Sequence, residues 1–209
     1  MTYRYSRRGG NVVPAVFAAV APDPVHDDRE LARDGHFGAA HAETLRRRAG
    51  CGSLGIARHA IDILMELAGT KIASRSRQAL REDVTMQANL GRAEALAALG
   101  TGFLYEALGE AWQVVSAGQT LSLGQRAMLW LASTQAANAA KEMTELMFSA
   151  GGSASPYTSS GLERCVRDIH AAAQHITVAP ANYQMAGQAL LGSDMRATPL
   201  LFMDDRSAG

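Results

Sequence analysis

Two imidazoles in one short stretch, His170 and His175, have the widest chemical scope in this chain of 209 residues. Their spacing of five puts them about 140° apart around a helix, too far round for both to ligate one metal ion. Separate roles follow. His175 is expected near the C-terminal end of its helix, where free carbonyls favour the protonated ring and a break would turn it toward an adjoining cavity. Taken alone, the simpler reading is a hydrogen-bonded helix-end histidine. Arg167 and Asp168 read as a solvated or capping pair, and Cys165 as a small buried apolar residue. The run Gly151-Gly152-Ser153-Ala154-Ser155-Pro156-Tyr157 allows two readings: a helix stop followed by a loop, or a backbone that approaches a phosphate closely. Spacing favours the stop. No Gly-x-Ser-x-Gly, Gly-x-x-x-x-Gly-Lys or His-Glu-x-x-His is present.

The rest of the composition narrows the function classes. Twenty basic residues balance twenty acidic ones, so no net field draws in a nucleic acid or an anionic membrane. Aromatics make up 6% while alanine, leucine and methionine are plentiful, which favours helices over strands. Cys51 and Cys165 are the two cysteines; they lie far apart, without thiolate-zinc spacing, and fit a reduced cytoplasmic compartment. No apolar run approaches the roughly 20 residues of a membrane-spanning helix. Near the start, Arg4, Arg7 and Arg8 precede an apolar stretch from Val12 to Ala21 that has the outline of an export signal. Pro14 interrupts it, and Pro22 stands directly after Ala19-Val20-Ala21, so retention in the cytoplasm is the expectation.

These chemical residues need elements to hold them. Residues 1–52 carry no sustained hydrophobic period and read as an irregular extension. Ser53 is expected to cap a first helix with Leu54, Ala57, Ile61, Leu64, Met65 and Ala68 on its buried side, ending at Gly69. Asp83 caps a second, whose helical spacing runs through Val84, Ala88, Gly91, Ala95, Leu99, Gly102, Phe103, Leu108, Trp112 and Val115. Ser122 and Gln125 form a capping box for a third, which Gly151-Gly152 stops. Ser160 and Glu163 form a second box opening a fourth helix, with an aligned Glu163-Arg167 pair. Pro180 forces a break between His175 and Ala179 and starts a short fifth helix that ends at Gly192. The expected fold is all-α: an antiparallel four-helix bundle over residues 53–192 with an appended C-terminal helix, then a tail over 193–209.

Several stretches together carry a resemblance. Ser53-Leu54-Gly55-Ile56-Ala57, the Gly151-Gly152 turn, and the segment from Leu162 through Arg167-Asp168 and His170 to His175, followed by Asn182-Tyr183, are similar to the C-terminal domain of acyl-CoA dehydrogenase-like flavoproteins. The likeness spans roughly Ser53 to Leu191 and lies closer to the flavin-dependent monooxygenase branch than to the true dehydrogenases. It implies a helical bundle that packs against flavin, FAD or FMN, and against sister subunits in a homo-oligomer.

The resemblance also implies roles for residues. Where many dehydrogenases carry a glutamate base, this chain reads His175-Ile176-Thr177; in the monooxygenase branch a histidine at that place lies beside the flavin, which makes His175 the catalytic candidate. Arg75 or Arg77 matches an arginine that reaches a flavin phosphate across a subunit boundary, and Gly151 and Gly152 match a cofactor-side turn. Phe148 stands where dehydrogenases place a glutamine against a neighbour's FAD. Residues 1–52 do not resemble the family's N-terminal helical domain or its middle β-domain. The implied function is therefore a truncated or split flavin-linked oxidoreductase component, active with a partner chain supplying the β-domain; the alternative is a non-catalytic oligomerisation bundle or gene relic.

Overall fold

The computed structural model describes residues 37–71 and 79–193, and all of these from Gly38 onward belong to one compact unit. Five α-helices and four single-turn 3-10 segments make up the described residues, without a strand. We number the helices α1 (Phe37–Thr70), α2 (Val84–Ser116), α3 (Leu123–Gly151), α4 (Leu162–Ala172) and α5 (Ala181–Leu190).

Their directions follow from paired contacts. Arg58 of α1 donates to Glu94 of α2 at 2.7 Å, and Gly100 of α2 lies against Leu54 of α1 and against Ala136 and Ala139 of α3. Lys71, just beyond α1, donates through Nζ to the Gly151 carbonyl at the end of α3, 2.8 Å away, satisfying an acceptor that the helix end leaves open. Thus α2 runs opposite to α1 and α3. The α4 and α5 helices both run back along α3: His170 pairs with Glu145, and further along, Tyr183 meets Gln135 and Asn138. Together α4 and α5 occupy the fourth position of the bundle as one broken helix.

The central helix is α3. Alanines 127, 132, 136, 137, 139 and 140 are buried together with Met143 and Met147; small side chains on every side let neighbours approach from every side. The main core gathers Ala57, Ile61 and Leu64 of α1, Met143 and Met147 of α3, and Leu162, Cys165 and Ile169 of α4. Each large aliphatic side chain there contributes about 1.5–3 kcal/mol by leaving water. Close approach explains one glycine in particular. A Cβ on Gly50 would come within 3.3 Å of Leu104 and 3.4 Å of the Ser133 backbone.

Local signals held where they were local. Asp83 accepts from the Met86 N–H at 2.8 Å; Ser122 and Gln125 make a reciprocal capping box; Gly152 stops α3 with φ +57°. The Glu163–Arg167 pair forms at 2.8 Å on an exposed turn.

Four expectations need correction. The first helix begins at Phe37, so Ser53 is a buried interior residue and not its cap; the stretch before it is rich in alanine and arginine, good helix formers that continue the helix past Gly50 and Gly52. The α2 helix buries Met86, Ala93, Gly100, Leu104 and Ala107, while Val84, Leu99, Trp112 and Val115 of the expected inner side are exposed, Leu99 at 71%. Apolar and small residues ring this helix, so spacing alone does not choose a side. The N-cap of α4 is Gly161, at φ +76°, without a side-chain cap of its own; Ser160, one residue earlier, accepts from the Leu162 N–H at 3.2 Å and donates toward the Ser155 and Tyr157 carbonyls, without the reciprocal box with Glu163. Last, α4 ends at Ala172, three residues before His175.

Candidate functional site

The break between α4 and α5 places His175. After Ala172 the chain makes a turn, a 3-10 segment at Ile176–Val178, and re-enters helix behind Pro180. Pro180 has no N–H to donate, and a continuous helix would drive its ring into the Ile176 carbonyl. His175 is the N-cap of the 3-10 turn, not a residue of a helix C-terminus, so its ring meets an N–H and not a row of carbonyls. Its Nδ1 accepts from the Thr177 N–H at 3.3 Å and lies 2.8 Å from Thr177 Oγ1. The residue is exposed beside Ile176, itself 60% exposed.

Beneath this exposed pair lies a buried polar chain that sequence reasoning missed. Asn182 is 2% exposed. Its Nδ2 donates to Thr177 O at 2.9 Å and to Thr134 Oγ1 of α3 at 3.1 Å, with a longer contact of 3.4 Å to Ile176 O. Thr134 and Thr177 are buried as well. The available signal was an Asn two residues beyond a helix-starting Pro, a place where a polar side chain folds back onto the preceding turn. Next to it, Tyr183 donates through its hydroxyl to Gln135 Oε1 at 2.8 Å and accepts from Asn138 Nδ2 at 2.9 Å. The two contacts clamp α5 to α3.

The remaining candidates lie elsewhere. Gly151 and Gly152 lie at the end of α3, with Gly151 against Leu162 at the start of α4, so the length of that 11-residue helix, about 16 Å at 1.5 Å per residue, separates that end from the one leading to His175. The Gly152 N–H is donated to Ser149 O, the Ser155 N–H to Gly152 O, and a Cβ on Gly151 would collide with Ser155 Oγ and with Leu162. That is the geometry of a helix stop. Phe148 packs its ring against the main core. Arg75 and Arg77 lie outside the described residues. His170 reaches Glu145 at 3.3 Å and is separate from His175. Burial holds the Cys165 thiol above its ordinary range, and the Asp168 charge adds to this, so it is a poor nucleophile. No group of three His, Cys, Asp or Glu among the described residues could hold a metal ion.

The fold is an all-α bundle with a broken fourth helix, and the sequence match says which class of domain it is. The chain belongs to the family described as acyl-CoA dehydrogenase, C-terminal domain, matched over residues 49–180. Among individual proteins it is 34% identical over 139 residues to indole-3-acetate monooxygenase of Pseudomonas putida, an alignment covering 66% of this chain and 36% of that enzyme. Two solved structures share the fold: XiaF from Streptomyces sp., in complex with FADH2 and glycerol, at TM-score 0.69 and 19% identity over 73% of this chain and 39% of XiaF, and 3-HSA hydroxylase from Rhodococcus sp. RHA1, at TM-score 0.64 and 18% identity over 73% and 38%. The chain therefore matches between 36% and 39% of the length of these proteins. No helix among the described residues is long and apolar enough to cross a membrane.

Proposed function

We propose that this bundle is the helical component of a flavin-dependent monooxygenase and that His175 is its catalytic residue. The observation that carries this reading is the 34% identity to a monooxygenase over 139 residues. The geometry around His175 supports it, because an exposed imidazole beside an exposed apolar side chain suits one wall of a site for a flat, partly polar ring. The flavin, when bound, supplies the redox chemistry. His175 would hold a hydrogen bond or proton at Nε2, and Ile176 would exclude water from the same edge. Arg75 and Arg77 are proposed to meet a flavin phosphate across a subunit boundary. Of the glycine pair Gly151 and Gly152, the exposed Gly152 would contribute close backbone approach and not a free N–H, while Gly151 is closed off by Ser155 and Leu162. The β-domain that completes the site is proposed to come from a partner, and the place of action to be the cytoplasm.

The test is reconstitution. Full-length chain is mixed with reduced flavin, with and without the portion of the Pseudomonas enzyme that it does not match, and retained flavin absorbance and oxygen consumption on small aromatic acids are recorded. Gain of both with the added portion, and about a 100-fold fall in oxygen consumption for His175→Ala, are expected; unchanged turnover in that variant would remove the catalytic assignment. A second reading, a self-associating bundle without catalysis, is favoured by the exposed Val84, Leu99, Trp112 and Val115 of α2. Homo-oligomers in sedimentation are common to both readings, and the flavin arm separates them.

A further inference from the structure

A histidine can meet a ligand as donor or as acceptor, and the turn around His175 chooses between the two. A backbone N–H can only donate, and the Thr177 N–H points at Nδ1. Nδ1 therefore presents its lone pair, and in the neutral ring the proton resides on Nε2. The Thr177 hydroxyl, 2.8 Å from the same nitrogen, donates to it as well in that state. Thr177 cannot swing away, because its carbonyl is held by Asn182, whose amide is in turn anchored to Thr134 on the central helix. All three residues are buried, which shields the Asn182 bonds to Thr177 and Thr134 from competing water.

We propose that Thr177, Asn182 and Thr134 are positioning residues that fix neutral His175 in the Nε2–H tautomer, so that the imidazole offers a hydrogen-bond donor, not a base, to whatever lies against this surface. The consequence for catalysis rests on the functional reading above; the tautomer does not. A donor in this place stabilises negative charge that develops on an oxygen of cofactor or substrate. A base would need the opposite tautomer, and reaching it would break the Thr177 N–H contact.

The experiment is two-bond proton–nitrogen correlation NMR on the full chain at a pH where histidine is neutral, with the His175 signals assigned by their loss in His175→Gln. Wild type is expected to show a single tautomer with an unprotonated Nδ1, retained by Thr177→Ser. Asn182→Ala is expected to move both nitrogens toward the averaged values of a short unstructured peptide, and Thr134→Val to do so in part. Circular dichroism checks that each variant stays folded, and Thr134→Val serves if Asn182→Ala does not fold. A protonated Nδ1 in wild type, peptide-like averaging in wild type, or folded Asn182 and Thr134 variants with unchanged signals would each overturn the proposal. In the reconstituted system, His175→Gln, which keeps a donor, is expected to retain about tenfold more turnover than His175→Ala. Equal loss in both variants would refute the donor role. Turnover indifferent to both variants would remove the functional reading while the tautomer assignment stood; a mixed tautomer with turnover abolished would do the reverse.

Discussion

Replacing Asn182 by aspartate changes one NH2 group to an oxygen and almost nothing in shape. In the wild type that NH2 donates to Thr177 O at 2.9 Å and to Thr134 Oγ1 at 3.1 Å. An ionised carboxylate there faces the Thr177 carbonyl acceptor to acceptor. The Thr134 hydroxyl can rotate and donate to it, so one of the two contacts is recovered. What remains is an unpaired buried carbonyl, about 1–3 kcal/mol, and a carboxylate removed from water with a single donor, so the total near neutral pH is about 2–4 kcal/mol.

The sign with pH is fixed by the same geometry. Burial and a facing carbonyl raise the carboxyl's folded pKa above its unfolded value of about 3.9. The protonated acid can donate to Thr177 O, so the deficit is small below the unfolded value and grows as pH rises through the folded one. Asn182→Ala leaves the same acceptor open without any titrating group, and its deficit relative to wild type stays flat. Urea unfolding of the three proteins, followed by circular dichroism at about pH 4 and pH 7.5, reads both deficits. Equal pH dependence in the two variants, or a cost under about 0.5 kcal/mol at pH 7.5 for either, would refute the claim that this amide pins the His175 turn.

Other expectations are equally direct. Gly151→Ala would drive a Cβ into Ser155 and Leu162 and is expected to cost about 1–3 kcal/mol in thermal unfolding. Gly100→Ala meets Ala139, Leu54 and Ala136 at 3.5–3.6 Å, ordinary contact, so its helix propensity gain of up to about 1 kcal/mol should leave it neutral or stabilising; a loss above about 1 kcal/mol would show that the helix crossing has no slack. Asp83→Ala removes the acceptor for the Met86 N–H and should cost about 1 kcal/mol, measured as a fall in the urea midpoint. In a Cys51→Ala background, iodoacetamide at pH 8 should label Cys165 only as fast as the protein opens, since the thiol is buried and its pKa raised. Labelling at the rate of a free thiol would contradict its placement in the core.

What could be read from the chain alone was whatever a few neighbouring residues decide between themselves. Asp83 and the Ser122–Gln125 box start helices because their side chains answer N–H groups two or three residues away. Gly152 stops one because a left-handed turn carries no penalty there, and Pro180 breaks another because its ring forbids continuation. The all-α class and a break ahead of Pro180 follow from these signals, but they set the end of the fourth helix at His175 where the chain leaves it at Ala172.

Choices between partners distant in sequence were not legible. Which side of α2 turns inward depends on Gly100 and Leu104 finding α1 and α3, because its own ring of small and apolar residues supplies no contrast. Ser53 lost its expected role as a cap because the preceding residues sustain a helix and Gly50 fits against Leu104 and Ser133. Ser160 keeps one N–H of the helix start, that of Leu162, but sits one residue before the N-cap and shares its hydroxyl with carbonyls of the adjoining loop, so the box with Glu163 does not form. The support of His175 joins residues 134, 177 and 182, the first separated from the last by 48 positions. A buried amide must find its acceptors wherever the folded chain brings them, and only the packing of α5 on α3 brings Thr134 within reach.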